Sequence, residues 1–358
     1  MKNILVRSPN WIGDQILAYP FFHYLRNAYP RARIGVTCVP WVQSLQFRNL
    51  VDEVIPLEKP EDPGLMGRFK NLEESAKAIR ERGPWDMGII LPNSFSAAWM
   101  FFRAGVSHRR GYNTDSRKLL LNDAVHWPTQ SIEHRAQAYV NLLPDEVRPK
   151  RPVSEFWGIP AENELDDDIP GEVEFFDAKK AWPDAEVLEP PKGDYWVLAP
   201  GSQAESRRWP IEKFADLARE IAQTKGWTGV VVGGLAESRL AETLCEDPEL
   251  KLIDMTAQGP VPSLWKIFSG AKFSVCNDSG LAHVAALCGS PVEIVWGAGD
   301  PKRTRPIGRK KVQMIFQPTE CWPCERNTCR LPAGRQLECL RGIQPEAVWK
   351  EIQSGIRP

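Results

Sequence analysis

"NILVRSPNWIGDQILAYPFFHYLRNA", residues 3–28, sets a short apolar run, Ile4-Leu5-Val6, directly ahead of a polar turn and a helical pattern. The run reads as a buried strand, and the pattern from about Asp14 to Ala28 reads as the helix that follows it. In an α/β protein a strand of this kind ends at a ligand site. Asp14 stands just past a glycine at that junction, and two roles fit it. Either it caps the helix, or its carboxylate does chemistry.

Outward from this stretch the alternation repeats. "ARIGVTCV" (32–39) reads as a strand, and "SLQFRNLVDEVIPL" (44–57) as a short helix and a further strand. "LEESAKAIRERG" has helical spacing and a stop signal at Gly83, and "WDMGIILPNS" (85–94) is another buried strand. Such alternation predicts a parallel sheet covered on both faces. From about Pro144 to Lys192 the chain turns rich in proline and acid, as a boundary does, and Asp166-Asp167-Asp168 reads as a solvated turn. The alternation then restarts with "YWVLAPGS" (195–202), "IEKFADLAREIAQTKG" (211–226), "TGVVVGG" (228–234) and "FSVCNDSGLAHVAALCG" (273–289). "QPEAVWKEIQSG" (344–355) reads as a terminal helix. The expectation is an α/β protein of two Rossmann-like domains facing across a cleft, where a ligand binds. Their spans are residues 1–180 and 181–340, and the helix in 341–358 packs back toward the N-terminal domain.

Composition narrows the function classes. The 358 residues suffice for two domains, and 42% apolar with 25% charged residues is the balance of a soluble globular chain. A net charge of −1 argues against a general nucleic-acid binder. No run reaches the length of a membrane span, and the first residues lack the apolar core of a signal peptide, so a cytoplasmic location is expected. Cys38, Cys245, Cys276 and Cys288 lie in apolar surroundings and read as small buried hydrophobes. Cys321, Cys324, Cys329 and Cys339 crowd one polar stretch with C-x₂-C-x₄-C-x₉-C spacing. Four thiolates there suit a tetrahedral structural zinc, and a plain cluster of reduced thiols suits the spacing as well.

Two turns in the second half suit anions. "NDSG" (277–280) delivers Asp278, Ser279 and Gly280 to the start of a helix, whose free N–H groups attract negative charge. Capping by Ser279 or Asp278 is the competing role. In "APGSQAESRRWP", Arg207-Arg208 precede a helix start, where a local anion explains paired cations. Arg207 is expected to face the cleft and Arg208 the solvent. Together the turns suggest a diphosphate, hence a nucleotide donor. His283, in the first helical turn, either touches ligand or satisfies a neighbouring loop. Glu237 either accepts from a ribose or sits at a helix start.

"NWIGDQILAYPFFHYLRNAYP", "LPNSFSAAWMFFRAGVSHRRGY", "LLLND", "APGS…RRWP" and "NDSGLAHVAALCGSPV" together resemble the ADP-heptose:lipopolysaccharide heptosyltransferases, nearest the heptosyltransferase II branch. The resemblance spans residue 1 to about 350. It implies a GT-B fold and inverting transfer of a heptose from ADP-heptose to the lipopolysaccharide inner core, without a catalytic metal. It implies Asp14 as the catalytic carboxylate, and a donor site at Ser202, Arg207, Asp278, Ser279, Gly280, Leu281 and His283. The family commonly has lysine where Arg207 stands, so a planar fork replaces a point charge. The implied acceptor is anionic and lipid-anchored, which places the enzyme peripherally on the inner membrane. Arg109, Arg110, Arg117 and Lys118 then form an anionic-acceptor surface, with Asn93 and Ser94 on sugar hydroxyls. Any metal at the cysteines is expected to be structural and far from the transfer chemistry. The alternatives are a GT-B enzyme using another nucleotide sugar, or a non-catalytic zinc-containing binding module.

Overall fold

The computed structural model describes residues 2–58, 62, 64–127, 133–150, 152–153, 176–308 and 310–355. The chain divides into two compact units. The first holds residues up to Val153 together with Asp177–Asp184, and the second runs from Ala185 and includes Phe176. The expected boundary at 180 splits a segment that belongs to the first unit. There the Arg48 N–H donates to the Ala181 carbonyl at 2.9 Å, and Ala181 and Trp182 are buried. The expected acidic turn at Asp166-Asp167-Asp168 lies outside the described residues.

The first unit carries β1 (Asn3–Arg7), β2 (Arg33–Cys38), β3 (Glu53–Pro56), β4 (Met87–Ile90), β5 (His108–Tyr112) and β6 (Asp123–Val125). The second carries β7 (Tyr195–Ala199), β8 (Thr228–Val231), β9 (Leu252–Asp254), β10 (Ser274–Asn277), β11 (Val292–Val295) and β12 (Val312–Ile315). The sheets run β3-β2-β1-β4-β5-β6 and β12-β11-β10-β7-β8-β9, so the two units repeat one strand order. All pairings are parallel, with Ile4 opposite both Ile34 and Met87, and Val275 opposite both Leu198 and Glu293. Ile4, Leu5, Val6, Val197, Leu198 and Ala199 are fully buried, as central strands covered on both faces must be. In each unit the order reverses between the first and fourth strands. This opens a crevice at their carboxyl ends, between β1 and β4 and between β7 and β10.

The expected helix over 14–28 is two helices, α1 (Ile12–Leu17) and α2 (Tyr19–Ala28). Pro20 sits in the first turn of α2, where its missing N–H is tolerated and a continuous helix would lose a bond. The short helix expected between 44 and 51 is a series of turns. Helix α3 (Leu65–Glu81) is longer than its pattern suggested, and α4 (Phe95–Arg103) and α5 (Arg135–Val140) complete the first unit's larger helices.

In the second unit, α6 (Ile211–Lys225) buries Phe214, Leu217, Ala218 and Ile221, one face of a 3.6-residue repeat, and ends at Gly226 with φ +70°. The C-terminal helix α7 (Pro345–Gly355) packs on α6, and Val348, Trp349 and Ile352 join the same core. It therefore belongs to the second unit's core. Truncating Phe214 to Ala there removes a wholly buried ring, at a cost of about 3–5 kcal/mol. Among the described residues, no helix is long and apolar enough to cross a membrane.

Candidate active site

The loop after β1 is held from beneath by buried polar groups. Arg7 is almost wholly buried, and burial lowers its pKa to about 10. Its guanidinium donates to the Ser8 carbonyl and, at 2.6 Å, to Asn10 Oδ1. Ser8 donates to Gln15 Oε1, and Gln46 Nε2 donates to Ser8 Oγ at 3.2 Å. Trp41 Nε1 donates to the Asn10 carbonyl at 2.6 Å. Trp11 is the residue that precedes α1, so Asp14 is not its cap and lies instead in the first turn. An acid there is favoured by the helix dipole.

Two residues on α5 reach Asp14. Arg135 Nε lies 3.8 Å from Asp14 Oδ1, and the Tyr139 hydroxyl hydrogen-bonds the carboxylate. Burial pushes the Tyr139 phenol well up from its ordinary pKa, and the nearby Asp14 charge adds to this. It is therefore a neutral donor at physiological pH. The Asp14 side chain is still 28% exposed, enough for a substrate oxygen to reach it. Arg135 and Tyr139 were not found from sequence. Nothing in chain spacing ties residues 135 and 139 to residue 14; the packing of α1 on α5 does.

The expected acceptor surface is largely taken up by the fold. Arg117 is wholly buried and donates to the carbonyls of Tyr112 (2.7 Å), Pro92 and Ser94 (3.3 Å), and to Asn93 Oδ1 (3.3 Å). Burial lowers its pKa to about 10. Arg110 pairs with Asp123 and Asp145 and donates to the Leu142 and Leu143 carbonyls. Arg109 donates to the Leu120 and Val106 carbonyls, each at 2.7 Å. These three arginines brace loops, because main-chain carbonyls of the turns between elements need donors. Lys118 is exposed. Ser94 caps α4 by accepting from the Ala97 N–H, and Asn93 stands beside it at the end of β4. Asn93 and Ser94 thus line the same crevice edge, β1 to β4, as the loop carrying Asp14.

In the second unit the switch point gathers the expected donor residues. Asn277 Oδ1 accepts from the Trp209 N–H at 3.0 Å, and its amide donates to the Pro200 carbonyl. This stitches the turn after β10 to the turn after β7. Ser202 Oγ donates to the Asp278 carbonyl at 3.2 Å. Asp278 is 2% exposed, and its Oδ2 lies 3.3 Å from Arg207 Nη1. Burial pushes the Asp278 carboxyl up to about 6, with the Arg207 charge pulling the other way.

Arg208 is exposed, yet its Nε donates to the Ser202 carbonyl at 2.6 Å, so it braces the turn. Ser279 precedes the helix Gly280–Leu287 without a side-chain capping bond, and Leu281 and buried His283 lie in its first turns. Glu237 accepts from the Gly234 N–H at 2.8 Å, which is its helix-start role. It also lies over Gly201, where an added Cβ would meet Glu237 Cγ at 2.6 Å. At Gly299 a Cβ would meet Asp278 Oδ2 at 2.5 Å.

The cysteine-rich segment is bonded to this site. The Ser206 N–H donates to the Asn327 carbonyl at 3.2 Å, and Ser206 Oγ donates to the Arg326 carbonyl. The Glu325 N–H donates to the Ala298 carbonyl, and Trp322 Nε1 to the Gly297 carbonyl, both at 2.8 Å. Since Ser206 adjoins Arg207, the segment is not remote from the expected chemistry. Burial and the neighbouring thiols of Cys324, Cys321 and Cys329 push the Cys339 thiol up to about 11. The Leu337 N–H donates to Cys329 Sγ at 3.3 Å. Among the described residues no group of three or more His, Cys, Asp or Glu is placed to hold a metal ion.

The chain is similar to lipooligosaccharide heptosyltransferase 2 of Haemophilus ducreyi, at 27% identity over 86% of this chain and 87% of that protein. Its fold is similar to that of E. coli ADP-heptose lipopolysaccharide heptosyltransferase II, with a TM-score of 0.72, 23% identity, and 99% and 98% of the two chains covered. The structure of E. coli heptosyltransferase WaaC with ADP also matches, with a TM-score of 0.67, 18% identity, and 99% and 100% covered. The architecture is thus α/β of the GT-B type, two Rossmann-like units. The family model for glycosyltransferase family 9 (heptosyltransferase) matches residues 74–333, most of the chain, from α3 through the donor turns into the cysteine-rich segment. The chain belongs to that family and is a glycosyltransferase.

Proposed function

We propose that this enzyme transfers a heptose from ADP-heptose to the inner core of lipopolysaccharide, with inversion at the anomeric carbon. The names of the relatives support the sugar and the acceptor, and the ADP of the WaaC structure supports the nucleotide. The observation that carries the chemistry is the Asp14 carboxylate at the β1 crevice, partly exposed, hydrogen-bonded by Tyr139 and ion-paired with Arg135. Asp14 takes the proton of the acceptor hydroxyl as that oxygen attacks the anomeric carbon. The bond from that carbon to the diphosphate breaks, and ADP leaves with the electron pair. A positioned base contributes about 10²–10⁴-fold to such a step. Arg207, set by Asp278, supplies positive charge to the departing diphosphate, aided by the N–H groups that begin the helix at Gly280. The lipid anchor of the acceptor places the enzyme on the cytoplasmic face of the inner membrane.

The test is transfer from ADP-heptose to a heptose-bearing inner-core acceptor, comparing native protein with Asp14→Asn. The expected result is a turnover lower by about 10²–10⁴-fold in the variant with ADP binding retained. Native protein that binds ADP and transfers nothing would reject the acceptor or sugar. A fully active Asp14→Asn would reject the base.

A further inference from the structure

Helices α3 and α4 pack together and leave a contiguous apolar surface uncovered. Leu65 and Met66 are 86% and 80% exposed, and Phe69 lies one turn further along α3 at 53%. Trp99 on α4 joins the helices. Its ring centroid lies 6.3 Å from that of Phe69, 6.1 Å from Phe95 and 6.1 Å from Phe102. Phe95 and Phe102 are themselves more than 40% exposed. Scattered exposed apolar residues need no explanation, but five large ones gathered around the half-buried Trp99 mark a contact surface.

The charge around the patch names the occupant. Arg103, which is paired with Glu73, lies over the Trp99 ring at 5.9 Å. Arg109, which braces the loop carbonyls, lies over the Phe102 ring at 5.4 Å, so the charge that faces solvent is that of the exposed Lys and Arg around them. Residues 64–118, which contain both helices, expose seven Lys and Arg against three Asp and Glu, in a chain whose net charge is −1. Aromatic and aliphatic side chains on a helix start, flanked by Arg and Lys, match a bilayer interface that carries negative headgroups. The patch also adjoins the expected acceptor edge, because Phe95 opens α4 directly after its cap Ser94 and Asn93.

We infer that the α3–α4 face is the surface by which this enzyme lies on an anionic bilayer. Leu65, Met66, Phe69 and Phe102 enter the headgroup region while the surrounding cations meet lipid phosphates. The inference rests on the proposed reading in one respect, that the acceptor is anchored in such a bilayer. It assigns the docking face, which that reading leaves open.

Flotation with vesicles tests it without donor or acceptor, so its outcome is separate from the identity of sugar and glycan. Vesicles of phosphatidylcholine with about one-third phosphatidylglycerol are compared with phosphatidylcholine alone, using native protein and the double variant Leu65→Ser/Phe69→Ser. Native protein is expected to float with the anionic vesicles and to lose binding at high salt. The double variant is expected to bind at least about tenfold more weakly, and both proteins should transfer equally to a delipidated core acceptor. The inference fails if native protein does not float, or if the variant floats equally well. It fails also if the patch instead joins two copies, seen as a native dimer that becomes monomeric in the variant and ignores vesicles. Both side chains are exposed, so an unchanged Tm is expected and separates lost docking from lost folding.

Discussion

The two units repeat one strand order, and each sets a carboxylate beside an arginine at its switch point. The pairs differ in burial. Asp14 and Arg135 stand 3.8 Å apart with side chains 28% and 33% exposed, whereas Asp278 keeps only 2% exposure beside Arg207 at 3.3 Å. An exposed carboxylate can exchange a proton with a substrate. A buried one is enclosed by its own unit, and here it pairs with the Arg207 guanidinium. On the proposed reading one topology yields a base in one half and a phosphate-binding arginine in the other, and solvent access separates the roles.

The largest expected effect follows directly. Asp14→Asn should lower turnover by about 10²–10⁴-fold, while Asp278→Asn should act more weakly, through the position of Arg207. Steady-state kinetics with both variants measures the gap. Equal losses with unchanged ADP affinity in each would break the comparison, because Asp278 would then also act on the reacting atoms.

Next in size is Arg207→Ala, expected to lower kcat/KM by about 10²–10³-fold, the range for removing one fixed electrostatic donor. Arg207→Lys should recover part of that loss, since the charge returns without the planar fork. The cysteine-rich segment sharpens the point from behind. Gly297 has no room for a Cβ, which would meet the Ser206 carbonyl. Gly297→Ala should therefore shift the turn that carries Arg207 and raise KM for the donor before it alters kcat.

Much of this was legible in the chain. The strand–turn–helix rhythm announced two parallel sheets, and the Asp278–Gly280 and Arg207 turns could be placed at strand ends because glycines and helix starts are local signals. What stayed hidden was non-local. Arg135 and Tyr139 meet Asp14 only through the packing of α1 and α5. The arginines at 109, 110 and 117 looked like a basic surface because sequence displays charge without burial. The carbonyls that engage them come from residues up to 33 positions away. The cysteine segment looked remote for the same reason, since Ser206 and Asn327 are far apart in the chain yet joined by a hydrogen bond.

Adjacent residues 117 and 118 turn that lesson into a stability measurement. Arg117→Ala should cost about 2–4 kcal/mol, because several main-chain carbonyls lose their donor and a wholly buried side chain leaves a void. Lys118→Ala, at an exposed position, should stay within about 0.5 kcal/mol of native. Urea unfolding of both variants gives the two numbers. A stable Arg117→Ala with weakened acceptor binding would return Arg117 to the acceptor surface.

The smallest effect concerns a buried carboxylate that the proposed chemistry does not use. Glu293, on β11, is 2% exposed, and its nearest cation is Lys311, with Nζ 4.0 Å away. Burial pushes its carboxyl from 4.5 up to about 7, against the pull of Lys311. Between those two values the folded chain holds the proton more tightly than the unfolded chain. The stabilising contribution is thus fully present below pH 4.5 and is lost as pH rises through 7. Glu293→Gln removes the charge that burial penalises. It should raise stability by about 1–3 kcal/mol at pH 8 and change little at pH 4.5. Asp278, also raised by burial, has the same sign. The variant should therefore keep a shallower version of the native decline between pH 4 and 6 and show no further decline between 6 and 7. Urea midpoints at several pH values measure this. A variant no more stable than native at pH 8 would mean that Lys311 compensates the buried charge, and that burial alone does not divide the roles of the carboxylates in this fold.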